Sequence, residues 1–367
     1  MNKALLKKLA EFEPTEMPVM SIYLDMRPQA TGGNPGVRSG EIVLKDRLHE
    51  IEKTYLPRGA DLDSFRADRE KIEKFVADEM SPATSGLIMF ACSAKNLWEK
   101  MEIGAELENE VAVGGVPSLF QFAKLLGDYE TAVVAVVDTN TARFFVTNYG
   151  KLKETHAPDD PNTELYHKTS GGGWNQMKYQ RIVENKRDEF SKEVVKDLEK
   201  LIKKVDAKNL IIAGDEIAMT LLQNHLSPQT KEILYSEILR IDEKAPRLEI
   251  KEDVRGILAK IEEDKSHSHV EKLIGAMRGG GLGVAGIHST KTALENGQVE
   301  ILLIDPQSEI LDHDTRNELI RLAETNGANV EMVEDNEKFA AMQGVGGLLR
   351  YKFENIDLAN NAKISAF

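Results

Sequence analysis

The residues best placed to do chemistry run Tyr166-His167-Lys168-Thr169-Ser170-Gly171-Gly172-Gly173-Trp174-Asn175-Gln176-Met177-Lys178-Tyr179-Gln180-Arg181. Three consecutive glycines permit positive φ and let the backbone approach another surface closely. Trp174 and Gln176 then fall on what the pattern predicts to be an exposed loop tip, where a tryptophan implies a partner surface. Lys178, Arg181, Lys186 and Arg187 crowd the start of the helix expected next. The helix dipole favours acids in a first turn, so this placement suits contacts with phosphates. The bland alternative is a solvated helix face, its charge offset by Glu184, Asp188 and Glu189. A tryptophan at such a tip can stack on an unpaired base. Loop and cations together read as a functional element, suited to contacts with phosphates.

Other candidates carry less. Gly281-Leu282-Gly283-Val284-Ala285-Gly286, with Asp305 beyond, matches the spacing of a dinucleotide fingerprint. That fingerprint must follow a strand and open a helix, so that the pyrophosphate rests on the helix N-terminus. Here the glycines follow Val270, Leu273, Ile274 and Met277, which repeat as a helix, so a turn against a sheet is the expectation. No Gly-Lys-Ser/Thr phosphate loop occurs. His267 and His269 alternate without a third ligand, which reads as a polar interdomain linker rather than a metal site. His225, His288 and the single cysteine, Cys92, read as packing or surface residues. No serine or cysteine triad is evident, and neither cofactor nor metal is expected.

The elements that must position the loop are legible in outline. At 367 residues the chain exceeds the roughly 250–300 that one core usually supports, so several domains are expected. The first, residues 1–128, opens with a short amphipathic helix (Leu5, Leu6, Leu9, Phe12), not a targeting segment. A strand follows over 18–24, a Gly/Pro-containing loop from Arg27 to Gly36, a helix through Ile42–Tyr55 and a second helix capped by Asp61. A buried strand, Leu87–Ala91, and a helix, Val116–Leu126, complete it. The second domain, residues 129–267, starts with a hairpin, Ala132–Val137 and Ala142–Thr147, joined by Asp138-Thr139-Asn140-Thr141. A loop over 155–175 leads to a long helix whose Tyr179, Val183, Phe190, Val194, Leu198 and Leu201 form one apolar face. The strand Leu210–Ala213, Gly214 and another helix come next. The third domain, residues 268–356, alternates helices and strands as a small α/β/α sandwich, with 357–367 a frayed tail. The fold class expected is α/β (α+β) in three small domains, the middle one a mixed sheet with a long helix.

The bulk numbers narrow the function. Hydrophobic residues at 41% and charged residues at 29% are those of a soluble globular protein, and no apolar run is long enough to span a bilayer. One cysteine suits a reducing, cytoplasmic setting. The net charge of −14 argues against a protein that coats nucleic acid, so any RNA contact must come from a local patch.

Several separate motifs, in order, resemble the class-one peptide-chain release factor and Pelota superfamily. Release factors carry Gly-Gly-Gln on a middle-domain loop followed by a basic helix of pattern Arg/Lys-Phe/Tyr-x-Arg. Gln176 with Lys178-Tyr179-Gln180-Arg181 matches that layout, and His167-Lys168 stand before the glycines at the expected place. Asp138, Ala142 and Arg143, Ala213-Gly214, Thr292–Leu302 and Gly344–Tyr351 extend the likeness over most of 130–353. Ser21-Ile22-Tyr23-Leu24-Asp25 looks like the bacterial and archaeal branch, to which Balon-like ribosome factors are related. Two departures stand out. Neither Asn-Ile-Lys-Ser nor Tyr-x-Cys-x-x-x-Phe, used to read stop codons, is present, and Trp174-Asn175 separate the glycines from Gln176.

The resemblance implies a monomeric, cytoplasmic tRNA mimic that binds the ribosomal aminoacyl site without reading a stop codon. It implies rRNA and peptidyl-tRNA as partners, a translational GTPase such as elongation factor Tu docked through the C-terminal domain, and no membrane. His167, Lys168, Gly171, Gly172, Gly173, Trp174, Asn175, Lys178, Arg181, Lys186 and Arg187 would contact RNA, with the 171–176 loop directed at the peptidyl-transferase centre. Gln176 would be catalytic if the factor hydrolyses peptidyl-tRNA, by holding a water and stabilising the oxyanion. Positioning of that kind is worth roughly 7–11 kcal/mol in favourable cases, and ~1 Å of misplacement can cost about 10²-fold. Hibernation or rescue without hydrolysis, release-type hydrolysis and a non-ribosomal scaffold all remain open on the residues alone.

Overall fold

A computed structural model describes residues 2–28, 38–54, 59–155, 174–235, 237, 241, 245–279 and 281–352. The chain forms two compact units, residues 1–128 with 262–367, and residues 129–261. The fold is mixed α/β, with three four-stranded sheets among the described residues.

In the first unit the chain runs α1 (Asn2–Ala10), β1 (Val19–Asp25), α2 (Ser39–Thr54), α3 (Ala60–Lys74), β2 (Gly86–Cys92), β3 (Leu97–Ile103), β4 (Glu110–Gly114) and α4 (Phe120–Asp128). The antiparallel sheet has the order β3-β2-β1-β4. Because side chains alternate across a strand, Met20, Ile22 and Leu24 pack with Leu44, Leu48, Phe65 and Ile72 of α2 and α3. Tyr23 and Phe90 point the other way, and Phe90 meets Phe122 of α4 at 6.0 Å. Both central strands are therefore buried on two faces, which explains why they are apolar at nearly every position, with Ser21 the polar residue inside β1. Asp61 does not cap α3, as the pattern suggested. Gly59 is the N-cap, without a side-chain bond, and Asp61 lies in the first turn, where an acid complements the dipole. The edge strands β3 and β4 were not foreseen from the sequence.

The same unit holds the C-terminal residues. They follow the end of a long helix α8, introduced below, as β9 (Gly283–Ala285), α9 (Ile287–Glu295), β10 (Val299–Ile304), α10 (His313–Thr325), β11 (Asn329–Met332), α11 (Glu337–Ala340) and β12 (Val345–Leu349). The order is β11-β10-β12-β9, with β10 and β11 parallel and the other pairs antiparallel. Val270 and Leu273 of α8 and Phe339 of α11 pack on Leu303. Leu302 and Ile304, which point to the other face, are also fully buried, and α9 and α10 contact each other and this sheet.

The N-terminal residues dock on α10. Asn317, buried, accepts a hydrogen bond from Leu119 N at 2.6 Å and donates to Pro117 O at 3.1 Å. Arg321 donates to Ala10 O and Phe12 O at the C-terminal end of α1, satisfying carbonyls that a helix end leaves open. His313 Nε2 lies 3.0 Å from Ser118 Oγ and 3.2 Å from Glu110 Oε1.

In the second unit β5 (Ala132–Val137), β6 (Ala142–Asn148) and β7 (Lys151–Thr155) form a meander. They are followed by α5 (Trp174–Val205), β8 (Asn209–Gly214), α6 (Glu216–His225), α7 (Pro228–Glu232) and α8 (Arg247–Arg278), the last contributing residues up to 261 here. The order is β7-β6-β5-β8, with β5 and β8 parallel. Val133, Ala135 and Val137 face α5 and α6, while Val134 and Val136 face Ile250 and Val254 of α8. Gly214, at φ +124°, lies so close to β5 that a Cβ would overlap Val137 O. Asp215 then caps α6 by accepting from Ile217 N and Ala218 N. This is the physical content of the Ala213-Gly214 motif.

Three expectations need correction. The long helix begins at Trp174, so Trp174 and Gln176 lie on its first turn rather than on a loop tip. His267 and His269 lie inside α8, the helix in which the chain passes from one unit to the other, so the connection there is helical, and His269 Nδ1 bonds Glu331 Oε2 at 2.8 Å. The glycine run at 281–286 is not only a turn, since Gly283–Ala285 form β9 and Gly286 precedes α9. The strand is three residues long and antiparallel to its neighbour, β12. It is thus unlike the parallel strand that feeds a dinucleotide site.

Candidate nucleic-acid interface

The candidate surface is built on α5. Thirty-two residues at 1.5 Å each give a helix of about 48 Å. Its C-terminal half packs on the sheet through Phe190, Val194, Val195, Leu198 and Ile202. Ahead of Phe190 the character changes, for no residue from Arg181 to Glu189 is buried, and Ile182 is 46% exposed. The helix has no acid in its first turn. Arg181, Lys186 and Arg187 thus belong to a stretch of the helix that supplies no buried side chain, and Gln176 lies on the turns ahead of it.

Helical spacing separates these residues. Positions 174, 178 and 181 recur at four and three and share one face. Positions 176, 183, 187, 190 and 194 recur at seven, four, three and four, along the stripe that carries Phe190 and Val194 into the core. Gln176 therefore lies on a different side of the helix from Trp174, Lys178 and Arg181. Arg181 is exposed, while Lys186 and Arg187 are half-buried. Arg187 Nε is buried and has no hydrogen-bond acceptor among the described residues. His167, Lys168, Gly171, Gly172 and Gly173 lie outside the described residues, and for Trp174, Asn175, Gln176 and Lys178 the backbone alone is described.

Charge is unevenly divided. Residues 129–261 contain 21 basic and 22 acidic side chains, whereas the rest of the chain contains 26 and 39. The −14 balance therefore resides outside the middle unit, and the objection that it raised to RNA contact does not apply to α5.

Two features were missed by sequence reasoning. Asp188, just ahead of Phe190, accepts from His225 Nε2 at 2.6 Å and pairs with Lys192 at 2.6 Å. Lys192 and then His225 hold its carboxyl below the usual carboxylate range. The i,i+4 spacing of Asp188 and Lys192 was legible, but nothing local pointed to His225. The second is the Ser118–His313–Asp314 grouping, which superficially resembles a nucleophilic triad. The same Nε2 that meets Ser118 also faces Glu110, whose hydrogen bond raises the pKa of His313. Nε2 is thus shared with a carboxylate rather than reserved for the serine, and Ser118 is buried, so the grouping is a docking contact.

Comparisons with known proteins agree with the site-bearing segment. Residues 117–257 match the model of bacterial archaeo-eukaryotic release factor family 10. A Pelota homolog of Methanocaldococcus jannaschii is 27% identical over 176 residues, covering 46% of this chain and 50% of that one. Peptide chain release factor subunit 1 of Aeropyrum pernix is 28% identical over 204 residues, covering 50% and 52%. The chain spans about half the length of the curated relatives it matches. Among solved structures, ribosome-bound archaeal Pelota with ABCE1 aligns over 96% of this chain and 95% of its own, at 14% identity and a TM-score of 0.46. Archaeoglobus fulgidus Pelota aligns over 74% and 80%, at 17% identity and a TM-score of 0.36. The family match over residues 117–257 and the two sequence relatives, over about half of the chain, support membership of the superfamily of archaeo-eukaryotic release factors and Pelota.

Proposed function

We propose that this chain is a ribosome-binding translation factor that occupies the aminoacyl site without a stop codon, in hibernation or rescue of idle or stalled ribosomes. The observation that carries the reading is the first half of α5, which holds Gln176 and the cations yet supplies no buried side chain from Arg181 to Glu189. A polar, cation-bearing helical arm that the core does not need is suited to phosphate contacts. The partners are rRNA and peptidyl-tRNA, with the glycines 171–173 and the first turn of α5 directed at the peptidyl-transferase centre. A translational GTPase such as elongation factor Tu would dock on the C-terminal domain. The factor acts in the cytoplasm as a monomer of three domains, 1–128, 129–267 and 268–356.

Release-type hydrolysis through Gln176 is the second reading, favoured by a glutamine three residues after a glycine run. Against it, Trp174-Asn175 carry Gln176 onto helical backbone, away from the glycines. Purified protein incubated with vacant ribosomes and with stalled peptidyl-tRNA complexes, then scored for co-sedimentation and peptide release, separates the readings. Binding without release is expected. Release that Gln176→Ala abolishes while binding persists would make the chain a hydrolase. Binding to neither would leave a non-ribosomal scaffold.

A further inference from the structure

The first half of α5 has little of its own to hold it in shape. It lacks acids in its first turn, places cations against the dipole and follows a glycine run. Helices of about a dozen residues are marginal in water without tertiary packing. Among the described side chains, core packing on this helix starts at Phe190. Ahead of that residue, Asp188 makes the described side-chain bonds of the 181–189 segment, to His225 at the end of α6 and to Lys192 one turn on. By helical spacing position 188 lies on the flank towards α6, off the stripe carrying Phe190 and Val194. A bond there resists lateral swing and fraying, which the core stripe does not.

We propose that Asp188 and His225 are positioning residues that hold the first half of α5 helical and in one direction, and so set where Gln176, Lys178 and Arg181 are presented. The proposal rests on the RNA-facing reading given above. Gln176 stands twelve residues ahead of Asp188, a lever of about 18 Å. A tilt of roughly 10° at its base displaces Gln176 by about 3 Å, well beyond the tolerance of a productive site. The contact costs the fold little if lost, because both partners are partly exposed. Its effect is on the geometry of the arm.

Hydrogen exchange on the full chain tests this without the ribosome. In His225→Ala and Asp188→Ala, amides of 176–189 should exchange severalfold faster than in the wild type, with 194–205 unchanged. His225→Gln, which can still donate to Asp188, should restore protection. The thermal midpoint should stay near that of the wild type in all three. Ribosome co-sedimentation should fall in both alanine variants and recover in His225→Gln. Unchanged exchange over 176–189 in both alanine variants would overturn the proposal, as would equal acceleration over 194–205, which would mark general loosening. If the wild type itself fails to bind ribosomes, the functional reading falls, while the exchange data still decide whether Asp188 and His225 hold the arm.

Discussion

Replacing Asn317 by leucine should destabilise the first unit substantially, because this side chain joins the N-terminal residues to α10. Its amide satisfies Leu119 N and Pro117 O in a buried setting. Leucine has similar volume but meets neither group. A buried backbone donor or acceptor left without a partner costs about 1–3 kcal/mol, so the pair amounts to roughly 2–5 kcal/mol. The chain has two tryptophans, Trp98 and Trp174. In a Trp174→Phe background, Trp98 on β3 reports on this unit alone. With a urea slope of roughly 2–3 kcal/mol per M, the midpoint should fall by about 1–2 M. Circular dichroism followed in the same titration should show the middle unit unfolding as before. A Trp98 midpoint within about 0.2 M of the parent, on the same slope, would refute the view that Asn317 fastens the two terminal regions into one body.

Gly214→Ala should cost about 3 kcal/mol or more, through strain at φ +124° and overlap with Val137 O, and thermal unfolding of the isolated chain would reveal it. The His313–Glu110 contact predicts a pH window. Hydrogen bonding to Glu110 raises the His313 pKa, so its contribution is complete below the unfolded value of 6.5 and is lost as pH rises through the folded one. Burial opposes the Glu110 charge, but bonds from His313, Gln121 and Ser118 outweigh it, so that contribution is complete above 4.5 and lost as pH falls through a lower value. Wild-type midpoints should therefore decline between pH 6.5 and 8.5 more steeply than those of His313→Gln, and parallel curves would remove His313 from the account. Glu324 is buried on α10, and burial raises its pKa despite Lys3 and Lys7 nearby. Its folded form holds the proton more tightly, so stability is lost as pH rises through its titration. Glu324→Gln should then unfold at higher temperature than the wild type at pH 7.5, and no gain would count against a charged, buried carboxylate.

The fold was legible where burial is two-sided. Val19–Asp25, Gly86–Cys92, Ala132–Val137 and Val299–Ile304 are central strands whose apolar runs announce themselves. The missed strands are edges. In Leu97–Ile103, Trp98 and Met101 alternate with Glu99, Lys100 and Glu102, and Lys151–Thr155 buries Leu152 alone, so little apolar pattern marks either. Helix α8 was read only in part for another reason. Its apolar positions 250, 254 and 257 share one face, while 270, 273 and 277 lie about half a turn away, so no single stripe runs through it. At the site, residue types pointed to α5 and its cations, but the register that parts Gln176 from Arg181 follows from where the helix begins. The His225–Asp188 contact spans 37 positions, and no local pattern encodes it.

The central claim is that the first half of α5 faces ribosomal RNA, and directed cleavage from that half tests it most directly. Ile182 is exposed on α5, and the native Cys92 is fully buried, so Ile182→Cys gives one accessible thiol for a tethered iron chelate. With the protein bound to vacant ribosomes, hydroxyl radicals from position 182 should cut large-subunit rRNA around the peptidyl-transferase centre. The cuts should fade in Arg181→Glu/Lys186→Glu, whose binding should also lose about one unit of salt dependence per phosphate contact removed. Cleavage confined to rRNA remote from that centre, or none from a protein that still co-sediments, would contradict the account.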